Sequence, residues 1–221
     1  MPTQRDTVRA LLDRHGQTFA EELRIDVAKG TPSALFRLLC AAMLLSARID
    51  ARIATEAARG LAKRGWRTPR KLAQSTWEQR VKALNEAGYA RYQERTATML
   101  GDLTEHLLNR YNGDLRRLRD EAGRDPKAER RLLKEFKGVG DVGVDIFFRE
   151  VQVAWDELFP FADRRALDAA GRLKLPKDAR RLARHADGGD YPRLLAALVR
   201  VELDDDYAAV RAAARGEGAI A

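Results

Sequence analysis

Apolar residues recur every three to four positions along most of the chain, which is the spacing of amphipathic α-helices. In the first predicted helix, over about 3–14, Val8, Leu11 and Leu12 form the apolar stripe, and Gly16 follows as a stop signal. Strong alternation of β-branched residues is absent. We therefore predict an all-α protein of roughly ten helices with short connections. The further helices are predicted at about 31–45, 51–64, 75–86, 92–111, 115–120, 127–136, 141–155, 163–173, 177–185, 192–203 and 206–215.

The second predicted helix is apolar on nearly every face, a pattern that indicates a buried central helix. Thr31 offers a capping hydroxyl at its start, and Pro32 stands in its first turn. A later helix is introduced by Ser75 and Glu78, which have the spacing of a capping box. These start signals place the helices along the chain independently of their apolar stripes.

Two breaks rich in proline and glycine, at 30–33 and 138–140, mark candidate boundaries between lobes. We expect a central helical lobe over 31–140, and a second lobe formed by 1–30 together with 141–221. A chain of 221 residues is long enough for one moderate domain or for two small lobes that share a core.

Charge and composition narrow the classes of partner. The chain has 41 Lys and Arg against 33 Asp and Glu, a net charge of +8, so a polyanion is the first partner to consider. The longest apolar run, 38–45, is too short to span a bilayer, and the charged N-terminal segment lacks the apolar centre of a signal peptide. We expect no membrane association, a cytoplasmic and nucleoid-associated location, and a monomer.

Metal chemistry finds little support in the residue pattern. Cys40 is the single cysteine, which excludes an intramolecular disulfide framework and any four-cysteine metal or iron–sulfur site. It lies on the apolar helix, where core packing is its expected role. His15, His106 and His185 are scattered without the spacing of metal ligands, so no metal site is predicted.

The sharpest local motif is the segment 132–143, Leu-Leu-Lys-Glu-Phe-Lys-Gly-Val-Gly-Asp-Val-Gly. An amphipathic helix enters a tight turn with two glycines, and a second helix starts at once. Such a turn exposes backbone N–H groups at a helix N-terminus, where an anion such as a DNA phosphate can bind. The alternative is an ordinary connector between two helices that binds nothing.

Four segments, taken in order, resemble the helix-hairpin-helix DNA glycosylases of the endonuclease III type. The hairpin at 132–143 is the first. Leu-Leu-Ser-Ala-Arg at 44–48 is similar to that family's Leu-Leu-Ser-Ala-Gln, and Gly-Tyr-Ala at 88–90 precedes a long helix as in the family. Phe-Ala-Asp-Arg-Arg-Ala-Leu at 161–167 resembles the family's Val-Asp-Thr-His segment. The resemblance covers about 30–175, and the first helix more loosely.

The resemblance implies a fold and a binding mode. It implies two helical lobes, a six-helix barrel-like lobe and a lobe of N- and C-terminal helices, with a double-stranded DNA cleft between them. The hairpin residues Gly138, Val139 and Gly140 would hold a phosphate, with or without a monovalent cation. Arg48 would fill the duplex gap that a flipped base leaves.

Catalysis is implied on the second lobe. Asp163 stands where the family presents its catalytic aspartate, and Arg164 and Arg165 follow it as candidate phosphate contacts. Tyr89 would border the base pocket, although a core position is the alternative. A helix N-cap is the alternative role for Asp163, and both roles can coexist.

Departures from the family pattern narrow the predicted activity. Val142 replaces the lysine whose amine forms a Schiff base in bifunctional members, so strand cleavage through this position is not expected. The carboxylate of Asp141 stabilises the helix N-terminus, but we expect it to repel a phosphate. Val144 replaces the usual small alanine. The family's iron–sulfur cluster cannot form with one cysteine, so we expect no cofactor.

Two runs of basic residues, at 59–71 and 164–184, are either phosphate contacts or solvated helix faces. The function predicted from the sequence is base-excision repair by a monofunctional DNA glycosylase, with alkylated purines slightly favoured as substrates. The alternative is a non-catalytic DNA-binding protein with the same hairpin, and a weaker option is an interaction scaffold without a DNA role.

Overall fold

A computed structural model describes residues 2–186 and 188–217. These residues form α-helices, short 3-10 helices and connecting turns, without a β-strand in either range, which confirms the predicted all-α class. The chain divides into two compact units, a central unit, Leu23–Glu157, and a terminal unit, Met1–Glu22 with Leu158–Ala221. No helix in the described part of the chain combines the length and apolar character that crossing a membrane requires.

The central unit is built around α3, whose side chains are buried from Ala34 to Leu44 apart from Arg37. Helices α4 and α10 both pack on α3, while α7 packs against α5 and α6. The apolar character of α3 is thus explained by neighbours on several sides. The helices of this unit are α3 (Pro32–Leu45), α4 (Ala51–Lys63), α5 (Pro69–Ala73), α6 (Trp77–Glu86), α7 (Gln93–Tyr111), α8 (Leu115–Glu121), α9 (Pro126–Leu133) and α10 (Asp141–Val151).

The terminal unit brings the two ends of the chain together. Helix α1 packs against α13 and α14, and α11 packs against α13. Arg14 and His15, in the last turn of α1, both contact the carboxylate of Asp206, which fixes α1 on the start of α14. The helices of this unit are α1 (Gln4–His15), α2 (Phe19–Glu22), α11 (Arg164–Arg172), α12 (Ala179–Ala183), α13 (Tyr191–Leu203) and α14 (Tyr207–Ala214).

The units divide at different positions from the lobes predicted from the sequence. The sequence breaks were at 30–33 and 138–140, whereas the structural divisions fall after Glu22 and after Glu157. Helix α10 follows the second break but packs on α3, and Leu23, Ile25 and Val27 are buried before the first helix of the central unit. A glycine-rich turn therefore bends the chain without ending the compact unit.

One local prediction is corrected, and two short helices were not predicted. The capping box before α6 is formed by Thr76 and Gln79, each side chain accepting the other's backbone N–H, and the prediction of Ser75 and Glu78 is wrong by one residue. Ser75 is buried and its hydroxyl donates to the carbonyl of Leu72 at 2.6 Å. Helices α2 and α5 were not predicted, because four or five residues are too few for a visible apolar period.

Two predicted helices also end early. Helix α9 ends at Leu133 rather than 136, and α10 ends at Val151 rather than 155. In both cases the residues that follow include a buried aromatic side chain, Phe136 or Trp155, held in a turn. The apolar pattern continues through these turns, so it cannot mark where the helical hydrogen bonds stop.

Candidate nucleic-acid interface

The hairpin between α9 and α10 depends on a glycine at its tightest point. Gly138 has φ +87°, a conformation that L side chains rarely adopt. A Cβ atom there would lie 2.9 Å from the Sδ of Met99 and 3.1 Å from the Sδ of Met43. The positive φ and the close approach of the two sulfur atoms thus both require glycine. The turn packs against α3 and α7.

The other two hairpin residues point in opposite directions. Val139 is 3% exposed, and its N–H donates to the carbonyl of Phe136 at 3.0 Å, so it anchors the turn in the unit. Gly140 is exposed, and a Cβ atom added there would meet nothing within 4 Å. It is the N-cap of α10 and provides no side-chain cap. The open space beside Gly140 therefore lies at the start of the helix.

The first turn of α10 carries the donors that an anion needs. The carbonyl of Gly140 accepts the N–H of Val144 at 3.0 Å, which closes the first helical hydrogen bond. The N–H groups of Asp141, Val142 and Gly143 find no backbone acceptor among the described residues. Donors at a helix N-terminus with open space beside them form a site that a phosphate oxygen can approach.

The acidic residue at this position is compensated by neighbouring bases. Lys134 Nζ lies 2.9 Å from each carboxylate oxygen of Asp141, and Arg130 lies 3.7 Å from the same carboxylate. The hydrogen bond from Lys134 holds the pKa of Asp141 below its usual value. The predicted repulsion of a phosphate by Asp141 is therefore reduced by the positive charges of Lys134 and Arg130.

The end of α3 abuts the same helix start. A Cβ atom on Gly143 would lie 3.8 Å from the Cβ and Oγ of Ser46, whose hydroxyl donates to the carbonyl of Met43 at 2.7 Å. Arg48 follows in an exposed turn and pairs with no carboxylate of the described residues. Two of the four segments that carried the resemblance are thus adjacent, and the guanidinium group of Arg48 follows their contact.

Tyr89 lies beneath this turn rather than in an open pocket. It is 1% exposed, and its hydroxyl donates to the carbonyl of Leu44 at 3.2 Å. Burial raises the pKa of its phenol. In this conformation Tyr89 positions the end of α3, as its alternative core role requires. Its contact with a flipped base stays a prediction.

Asp163 is the N-cap of α11 in the terminal unit. Its Oδ1 accepts the N–H of Ala166 at 3.2 Å, and the residue is 5% exposed. Burial raises the pKa of Tyr191, and the negative charges of Asp178 and Asp163 add to that rise. The capping alternative is therefore realised, and the catalytic role stays a prediction.

Arg164 and Arg165 occupy the exposed start of α11. The side chain of Arg164 is 94% exposed and lies 3.5 Å from Asp168. Arg165 is exposed and pairs with no carboxylate of the described residues. Both guanidinium groups face solvent from the helix that Asp163 caps.

Val142, in the first turn of α10, is 60% exposed. An apolar side chain thus stands in solvent at the position where the resemblance expects a lysine. It offers no amine for covalent chemistry at this helix start.

The hairpin's donor set bears on the expected cation. Of its two carboxylates, Asp141 is held by Lys134 and Glu135 pairs with Arg110, so a monovalent cation there would depend on backbone carbonyl oxygens. In the described ranges, no three His, Cys, Asp or Glu side chains come together as metal ligands. Burial raises the pKa of Cys40 to about 12, consistent with a thiol inside the core.

Sequence reasoning missed Lys134, Met43 and Met99. Lys134 was part of the quoted motif, but its pairing with Asp141 depends on how the chain reverses between them. The methionines stand on α3 and α7, far from the hairpin in sequence. Only a fold that places these helices under the turn identifies them.

No family model and no curated protein matches the sequence. Among solved structures, the chain is similar to a trapped covalent intermediate of endonuclease III with DNA, an estranged-adenine complex. The TM-score is 0.47 and the identity 18%, over 90% of this chain and 86% of that chain. Similarity at this level identifies no activity, and function is therefore inferred from the chain's own residues.

Proposed function

We propose that this protein is a monofunctional DNA glycosylase of base-excision repair, acting on double-stranded DNA as a monomer. The observation that carries the proposal is the contact between two motif segments. The open helix start after Gly140 lies against the turn that ends in exposed Arg48. A site for a backbone phosphate thus lies beside a side chain that can enter a duplex.

Binding begins with the DNA backbone. The unpaired N–H groups of the first turn of α10 receive a phosphate oxygen, and the exposed side chains of Arg164 and Arg165 supply further positive charge from the terminal unit. A glycosylase must extract the target nucleotide, because the bond between base and sugar is inaccessible inside the stack. Arg48 is assigned to the space that the extracted base leaves.

Asp163 is assigned the chemical step. When the bond between base and sugar breaks, its electron pair leaves with the base, and the sugar carries positive charge. The Asp163 carboxylate stabilises that charge and orients a water, whose oxygen bonds to the sugar carbon while its proton is lost to solvent or to the base. Val142 supplies no amine, so no Schiff base forms at this position, and the strand is not cut through it.

The direct test is base release from duplexes that carry alkylated purines, uracil or oxidised bases. Alkylated purines are the substrates that we expect to be processed best. Asp163→Asn should abolish release, because the amide cannot stabilise the sugar cation. Asparagine is also a good N-cap, so the free energy of unfolding should stay within about 0.5 kcal/mol of the wild type. Loss of activity with the fold intact would separate catalysis from capping.

A borohydride trapping experiment tests the monofunctional mechanism. Wild-type protein and abasic duplex should give no covalent adduct, since Val142 lacks an amine. Val142→Lys places an amine at the same exposed position, with little cost because the side chain is already in solvent. An adduct with the wild-type protein would contradict the proposed use of water.

A non-catalytic DNA-binding protein is the second candidate, and the burial of Asp163 favours it. At 5% exposure this carboxylate is already engaged as a helix cap. If the wild type binds duplexes tightly but releases no base from the panel, the second candidate replaces the first. If the wild type neither binds the duplexes nor releases a base, both candidates are wrong.

A further inference from the structure

The terminal unit contains a cationic recess that the proposed catalytic residues do not use. It has a volume of about 320 Å³ and lies where the end of α11 meets α12. Lys174, Arg181, Arg184 and His185 supply basic groups to its wall, and no carboxylate of the described residues lines it. Concave surfaces lined by one sign of charge concentrate counter-ions of the other sign.

Local hydrogen bonds fix the backbone after α11, where the lining of the recess begins. Lys174 follows α11 in a left-handed conformation, φ +59°, with its N–H donating to the carbonyl of Gly171 at 3.0 Å. Gln4, at the start of α1, donates its side-chain amide to the carbonyl of Lys174 at 3.0 Å. The turn after α11 is thus stabilised by one hydrogen bond to α11 and one from α1. Buried Leu175 and half-buried Pro176 complete the lining between Lys174 and the basic groups in and after α12.

Among the described residues, the cations of the recess differ from their neighbours in having no acidic partner. Lys177 lies 3.0 Å from Asp168, and Arg172 lies 2.8 Å from Glu202. By contrast, the charged groups of Lys174, Arg181 and Arg184 pair with no carboxylate among the described residues.

Asp178, the acid nearest to Arg181 in the sequence, is already engaged. Asp178 accepts the backbone N–H of Arg181 at 2.8 Å as the N-cap of α12. Basic groups gathered without compensation repel one another, and a bound anion would relieve that repulsion.

From this cluster we infer a phosphate-binding site in the recess formed by Lys174, Arg181, Arg184 and His185. Two guanidinium groups can each present paired N–H donors to phosphate oxygens, and the ammonium group adds a point charge. The recess can hold a single phosphate group with some of its water. This inference goes beyond the proposed glycosylase activity and stands whether or not base release is observed.

The test uses the full chain and inorganic phosphate, followed through the ring signals of the three histidines by NMR. Phosphate replaces chloride at constant ionic strength, so that screening stays the same. We expect a saturable shift of the His185 signals as phosphate is added. His15, which contacts Asp206, and His106, which packs on Phe136, should not respond and act as internal controls.

Matched variants assign the effect to the recess. The double variant Arg181→Gln and Arg184→Gln should weaken phosphate binding on the order of tenfold or more, because it removes two charged donor groups. Arg180→Gln changes the same helix outside the recess lining and should leave binding unchanged. A linear response without saturation, or equal weakening in the Arg180 variant, would overturn the inference.

Competition identifies the source of the phosphate. Short duplexes with a 5′-phosphate or a 5′-hydroxyl are added to the phosphate-loaded protein. Displacement by both duplexes assigns the recess to backbone phosphates, and displacement by the 5′-phosphorylated duplex alone assigns it to a DNA end. Displacement by neither assigns it to free phosphate. Each of these three results supports the site, whose existence depends on the saturable response alone.

Discussion

Gly138 and Gly140 stand two positions apart in one turn, yet their environments differ completely. Gly138 has a positive φ and lies against two methionine sulfur atoms. Gly140 has an ordinary extended conformation, φ −95° and ψ −169°, and open space around it. The sequence motif treats the two glycines alike, but only the first is required for packing.

Gly138→Ala should therefore lower the free energy of unfolding by about 1–3 kcal/mol, through backbone strain and displacement of Met43 and Met99. Gly140→Ala is the matched control and should change it by no more than about 0.5 kcal/mol. Chemical denaturation of both variants measures the difference. Equal destabilisation by the two substitutions would contradict the assigned roles.

At the scale of an element, the hairpin is a charged unit. Lys134 at the end of α9 and Asp141 at the start of α10 form an ion pair across the turn. The pair keeps the helix start close to neutral where an isolated aspartate would oppose a phosphate. The effect of either residue on DNA binding therefore depends on the other.

A double-mutant cycle tests this coupling. Lys134→Gln leaves Asp141 facing the DNA and should weaken duplex binding about fivefold, whereas adding Asp141→Asn should restore it. Fluorescence anisotropy with a labelled duplex measures the four affinities. Lys29 and Asp26 form a similar exposed pair at 2.8 Å outside the hairpin, and Lys29→Gln is the control. Additive effects of the two hairpin substitutions would exclude the coupling.

Helix α9 also carries a buried acid. Glu129 is fully buried, and neither carboxyl oxygen has a hydrogen-bond partner among the described residues. Burial, and then the adjacent Glu157, raise the pKa of Glu129 to about 8. Arg119 binds Glu157 and Asp156 from α8 and partly offsets that rise, while Asp125 at the start of α9 adds to it.

This acid predicts a pH dependence of stability. The unfolded chain releases the Glu129 proton near pH 4.5 and the folded chain near pH 8, so the folded state holds more protons between these values. The free energy of unfolding should consequently fall as the pH rises from about 5 to 8. Glu129→Gln should flatten this dependence, and Glu105→Gln, exposed on α7, should not. Denaturation midpoints across this pH range decide, and an unchanged slope in the Glu129 variant would exclude the assignment.

Over the whole molecule, the basic side chains behind the net charge of +8 differ in whether an acidic side chain pairs with them. Arg64 pairs with Glu86, and Arg200 pairs with Glu22, so part of the positive charge is compensated within each unit. Arg48 and Arg165 are exposed, and neither pairs with a carboxylate among the described residues. Charge available for a polyanion is therefore a property of particular side chains rather than of the total.

Duplex binding should weaken steeply with salt, because each neutralised phosphate releases counter-ions. Arg165→Gln should reduce the slope of log affinity against log salt by about 1. Arg9→Gln removes an arginine that is paired with Asp6 and should leave the slope unchanged. Affinities measured over a series of salt concentrations test both variants. A flat response of the wild type would count against any DNA role.

Much of the candidate site was accessible from local sequence, and part of it was not. The two-glycine turn and the start of α10 at Asp141 follow from neighbouring residues, and the structure places both as predicted. The burial of Tyr89 under the end of α3 was left open, since it depends on helices separate in sequence. The entry of Arg48 into the duplex and the catalytic role of Asp163 stay predictions.

The sequence by itself determined the all-α class, most helix positions, the hairpin and the missing amine at Val142, because these depend on residues within one or two helical turns. Only the tertiary structure decided which groups meet across the fold. It placed α10 in the central unit, paired Lys134 with Asp141, and gathered Arg181 and Arg184 beside Lys174. Such contacts depend on how buried helices pack, and helix periodicity alone leaves the packing partner unspecified.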